Sequence, residues 1–79
     1  MARETAHLIF PQELIKEPVV YTVARKFDVV PNIRRAKITE TIGEVTLELS
    51  GTEENLEKAR KYLEAAGVRY EPVAGDIVE

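Results

Sequence analysis

The chain has no cysteine and no tryptophan, and only one histidine and one serine among its 79 residues. The missing thiols exclude disulfides, thiolate metal sites, Cys-ligated iron–sulfur clusters and thiol catalysis. His7 alone cannot assemble a metal site. Ser50 has no neighbouring base in the sequence to activate it. No apolar run approaches the roughly 20 residues that cross a bilayer, and "MARETAHLIF" lacks the apolar core of a signal peptide. The expectation is a soluble, cytoplasmic chain with no membrane insertion. An excess of positive charge is also missing, since 14 acidic side chains against 11 basic ones give a net charge of −3. Nucleic-acid binding depends on Lys and Arg neutralising phosphates, so no nucleic-acid partner is expected.

A chain this short allows one domain over residues 1–79, with a core expected over 3–74 and a loose tail over 75–79. At this size folding buries roughly 60–65% of the unfolded surface, so the core is small and dimerisation would help.

"ETAHLIFP", from Glu4, reads as a first strand with Ala6, Leu8 and Phe10 on one face and His7 and Ile9 on the other. After the linker "QELIKE", Pro18 opens a helix in which Val20, Val23, Ala24 and Phe27 recur at helical spacing. Two strands follow, at about 33–40 and 45–50, joined at "TIGE". A four-residue loop from Thr41 to Glu44, with Gly43 taking the awkward conformation, sets Glu40 against Val45, Ile38 against Leu47 and Ala36 against Leu49. The other face then pairs Thr39 with Thr46 and Lys37 with Glu48. Thr52 caps a second helix whose stripe is Leu56, Ala59, Leu63 and Ala66, and Gly67 ends it. "VRYEPV" reads as a fourth strand with Val68 and Tyr70 inward. Strand, helix, strand, strand, helix, strand implies a ferredoxin-like α+β sandwich: a four-stranded antiparallel sheet with two helices on one face.

The stretch "FDVVPNIRRAKITETIGEVTLELSGTEENLEKARKYLEAAGVRYEPV", with "AHLIF" before it, resembles the NIL domain family, named for an Asn-Ile-Leu motif at the start of its second strand. The motif here is Asn32-Ile33-Arg34, with arginine in the place of leucine. The resemblance implies a regulatory, ACT-like domain of the kind found at the C-terminus of methionine importer ATPases, or fused to ferredoxins, and here standing alone. It further implies amino-acid binding, methionine included, by a homodimer with the motif asparagine at the ligand. Asn32, Ile33 and Arg34 are therefore the expected ligand-binding residues.

Each candidate has a plainer reading beside it. Asn32 can donate to a carboxylate and accept from an ammonium group, or simply close a Pro-Asn turn on its own backbone. Arg34, Arg35 and Lys37, with Arg25 and Lys26, could hold an anion, or could guard an edge strand against unwanted pairing. Simple alternation puts Arg35 and Lys37 on the helix-free face and Asn32 with Arg34 on the other. Ile9, apolar amid polar neighbours on the helix-free face, marks a possible interface with Arg35 and Lys37. The three tyrosines read as residues at the core's edge with hydroxyls reaching water.

RNA readers of this topology need aromatics on the two central strands, where this chain has His7, Ile9, Thr46 and Glu48. Nothing in the chain suggests catalysis, a metal or a cofactor. The first functional expectation is thus a small-ligand-binding regulatory module for methionine, a related amino acid or an anion. The alternative is an interaction domain docking on a partner in sulfur or methionine metabolism or in transport. A third is an accessory role to a partner's iron–sulfur or sulfur-transfer chemistry.

Overall fold

The computed structural model describes residues 2–73. The expected loose tail, 75–79, and residue 74 lie outside them. The order is β1 (Ala2–Phe10), a 3-10 turn (Gln12–Leu14), α1 (Val19–Phe27), β2 (Val30–Ile38), β3 (Gly43–Gly51), α2 (Glu53–Ala66) and β4 (Arg69–Pro72). The strands form one antiparallel sheet in the order β2-β3-β1-β4. This is the ferredoxin-like sandwich that the element pattern predicts.

Alternation along the two central strands builds the core. Ala6, Leu8 and Phe10 of β1 lie beside Val45, Leu47 and Leu49 of β3, and all six are buried. Val19 and Val23 of α1 and Leu56, Ala59 and Leu63 of α2 close over them. Each fully buried leucine contributes roughly 1.5–3 kcal/mol, which for so small a sandwich is a large share of its stability. In α1 Val19 and Val23 are the buried residues, while Val20 and Phe27 are only partly so. Ala66, placed in the apolar stripe of α2 by spacing alone, is exposed because the helix ends there.

The helix termini follow local chemistry. Thr52 Oγ1 accepts from the Asn55 amide at 3.0 Å, and Gly67 takes the left-handed conformation at φ 105°. Asp28 ends α1 in the same left-handed region, at φ 56°. Among the described residues it is the only non-glycine there.

The hairpin departs from the sequence expectation. Its four loop residues are Thr39 to Ile42, and Ile38 lies opposite Gly43, Lys37 opposite Glu44 and Ala36 opposite Val45. Thr39 fixes this choice. Its hydroxyl accepts from the Ile42 amide at 2.9 Å and the Thr41 amide at 3.3 Å, and its own amide donates to the Ile42 carbonyl at 2.7 Å. Gly43 serves close packing in β3 and makes no turn at positive φ. A Cβ there would lie 3.2 Å from Phe10 Cβ and 3.3 Å from Ile15 Cγ1.

A second departure matters more. The pairing slips between Ile33, opposite Leu47, and Arg35, opposite Thr46, which leaves Arg34 as one extra residue in a β-bulge. The bulge reverses the alternation of the residues before it. Asn32 falls opposite Glu48 on the helix-free face, and Ile33 turns to the helix side.

Candidate functional site

β2 is an edge strand of nine residues, and none of its side chains is buried. Its helix-side residues, Ile33, Ala36 and Ile38, would normally lie under a helix. Here α1 reaches only as far as a rim, where Tyr21 is 62% exposed, beside Ile33 at 55% and Ile38 at 56%. A groove of about 210 Å³ runs between them, lined by Leu14, Val20, Tyr21, Ile33, Ala36 and Ile38 among others. The 3-10 turn supplies Leu14 and closes one end of it. That is smaller than the roughly 300–1,000 Å³ of drug-sized ligand sites, so the space suits a single side chain or a small metabolite.

The other face of β2 is basic. Asn32, Arg35 and Lys37 lie on it opposite Glu48, Thr46 and Glu44 of β3, and Arg34 joins them through its ion pair with Glu48. Glu48 stands between Arg34 Nη2 at 3.6 Å and Arg3 Nη1 at 3.9 Å. The Arg34 guanidinium is therefore already engaged by a carboxylate. His7, one strand further in, shares a hydrogen bond with Thr46 Oγ1 at 3.0 Å and lies 3.8 Å from Glu44 Oε1. Among the described residues no group of three metal-ligating side chains occurs. No helix among them is long and apolar enough to cross a membrane.

The three motif residues are thus split. Asn32 and Arg34 look onto the helix-free face, whereas Ile33 walls the groove. Alternation had placed Asn32 and Arg34 on the helix side, and the bulge overturns that placement. The Pro-Asn turn also drops out, because Pro31 and Asn32 lie within β2. The Asn32 amide has no hydrogen-bond partner among the described residues. Arg34, as the extra residue of the bulge, fills no core space, so a guanidinium at this motif position costs nothing in packing. Ile9 is half-buried between Glu44 and Arg69, its neighbours in register on the helix-free face.

Sequence reading missed Leu14 and Tyr21 as groove residues. The available signal was the apolar pair Leu14-Ile15 in an otherwise polar linker. Nor are the tyrosines alike. Tyr70 is buried and its hydroxyl donates to Glu4 Oε1, while Tyr62 packs against Phe27 with ring centroids 5.5 Å apart. Burial, with the hydrogen bond to Glu4 and that carboxylate's charge, holds the Tyr70 hydroxyl well above the usual tyrosine range.

An antiparallel four-stranded sheet with both helices on one face and an uncovered edge defines a ferredoxin-like module. The chain belongs to the NIL domain family, whose profile matches residues 4–72. Among solved structures it is similar to the C-terminal domain of an ABC transporter ATP-binding protein from Enterococcus faecalis, with a TM-score of 0.80 and 22% identity. That likeness spans 92% of this chain and 86% of the other, and at this identity it speaks for the shared fold. No curated protein matches the chain.

Proposed function

We propose that the chain is a non-catalytic regulatory module that binds a small amino acid with an apolar side chain, methionine foremost, and works as a dimer in the cytoplasm. The observation that carries this reading is the groove beside β2, apolar, sized for one side chain and walled by Ile33 of the family motif. Membership of the NIL family and the likeness to the C-terminal domain of a transport ATPase support a regulatory role linked to transport. Asn32, expected as the ligand's polar anchor, looks onto the opposite face of β2 from this groove, so within one chain Ile33 is the motif residue that meets the ligand. The contact between copies centres on Ile9 of the helix-free face, with Arg35 and Lys37 at its rim.

The test is a thermal-shift and calorimetric titration with L-methionine and other amino acids, together with sedimentation to read the dimer. A ligand at 100 times its Kd stabilises the fold by about 2.7 kcal/mol. For a domain this small that is a rise in Tm of roughly 10 °C or more. Ile33→Asp should abolish that rise and leave the unliganded Tm nearly unchanged, because the side chain is already 55% exposed. Flat titrations with every amino acid would sink the ligand reading.

One observation favours a second reading, an interaction domain that docks on a partner in transport or sulfur metabolism and takes no small molecule. Glu48 already engages Arg34, which removes the simplest counter-ion for a ligand carboxylate. Flat titrations combined with capture of a transport or sulfur-metabolism protein by the immobilised chain would decide for it.

A further inference from the structure

We propose that Glu17 is the residue that recognises the charged end of the ligand, so that the groove beside β2 selects a primary amine with a short apolar tail. Given the ligand reading above, on which this assignment rests, methionine is then held by its ammonium group and its side chain. Its carboxylate stays in water.

Of the residues that line the groove, Glu17 alone carries a charge. It is exposed, so its carboxylate belongs to the mouth of the groove, above the apolar floor that Val20, Ile33 and Ala36 help to form. That carboxylate has no hydrogen-bond or ion-pair partner among the described residues. It does not cap α1 either, because the cap position is Pro18 and no side-chain capping bond forms there. The backbone that carries it is fixed on both sides. The Glu17 amide donates to the Leu14 carbonyl at 3.1 Å, and its carbonyl accepts from the Val19 amide at 2.8 Å. A carboxylate placed in this way accepts charge-assisted hydrogen bonds from an ammonium group while the ligand's tail fills the groove.

Neighbouring cations do not line the groove. Lys16, next in the chain, lines a separate depression with Gln12, Thr39 and Glu40. Arg25 donates to the Tyr21 hydroxyl at 3.3 Å and is not among the lining residues. Arg34 is engaged by Glu48 on the opposite face of β2. With one anion and no cation in its lining, the groove attracts a positive group and repels a negative one. The result is a ranking that amino-acid binding alone does not imply. An amine without a carboxylate binds best, the zwitterion follows, and an acid without an amine is refused.

The test is calorimetric titration of the full chain with three ligands that share one tail. They are L-methionine, L-methioninol, whose carboxylate is replaced by an alcohol, and desaminomethionine, which keeps the carboxylate and has hydrogen in place of the amine. Methioninol should bind more tightly than methionine, and desaminomethionine should not bind. Glu17→Gln should weaken methioninol roughly fivefold. Glu17→Lys should reverse the order and admit desaminomethionine. Both variants should keep the unliganded Tm, since the side chain is exposed and makes no contact that the fold needs. Desaminomethionine binding as tightly as methioninol, or methioninol binding unchanged in Glu17→Gln, would overturn the assignment of Glu17 and leave the ligand reading standing. No binding of any of the three would end both.

Discussion

β4 has four residues and β2 nine, and the two form opposite edges of one sheet. The short edge is packed and the long one is not. β4 sends Tyr70 into the core, 7% exposed and hydrogen-bonded to Glu4, and Val68 is buried just before it. β2 buries nothing. Its hold on the molecule is the backbone ladder to β3, whose own helix-side residues are all buried. A strand held chiefly by main-chain bonds has side chains to spare, and they can serve recognition. In this fold stability and candidate function occupy opposite edges.

The largest effect that would sharpen this contrast comes from the packed edge. Tyr70→Ala should cost roughly 3–5 kcal/mol in denaturant unfolding, enough to unfold much of the population. Ile33→Ala, by the same measurement, should cost less than about 1 kcal/mol, because more than half of the side chain is already in water. If the two cost alike, β2 is covered in solution and the contrast fails. Next comes Gly43→Ala, at the corner where β3 begins beside Phe10 and Ile15. Its Cβ meets both at 3.2–3.3 Å, and the overpacking should cost about 1–3 kcal/mol and loosen the hairpin.

A further effect is a pH dependence specific to the packed edge. The Tyr70 hydroxyl ionises later in the folded chain than in the unfolded one, whose tyrosines titrate near 10. Its contribution is complete below that value. Above it the unfolded state releases a proton that the folded state retains, so stability falls by up to about 1.4 kcal/mol per pH unit. Tyr70→Phe should lose this extra slope above pH 10 in parallel unfolding curves. Identical slopes for the two proteins would show that the hydroxyl is not sequestered.

Much of the fold could be read from residue patterns because its signals are local. Alternation along β1 and β3, Thr52 and Gly67 around α2, and Pro18 ahead of α1 each act within a few residues. The hairpin register was less legible, because two four-residue loops are compatible with the same alternation. The Thr39 hydroxyl decides between them, and glycine at 43 looked like a turn residue while acting as a space between strands. The candidate site was the least legible part. Asn32 and Ile33 are adjacent in any reading, but which face each takes depends on a bulge that no local composition announces. That the groove exists at all depends on the first turn of α1, which reaches only the rim of β2 at Val20 and Tyr21.

The bulge at Arg34 has an evolutionary corollary. Ile33 and Arg35 pair with Leu47 and Thr46, which are consecutive, so excising Arg34 would leave a continuous ladder with every other partner unchanged. The residue is, in effect, an insertion that the sheet tolerates without repair. Such a position is free of the packing constraint that binds its neighbours. It can drift from leucine to arginine, and take on new chemistry, while the rest of the strand stands still.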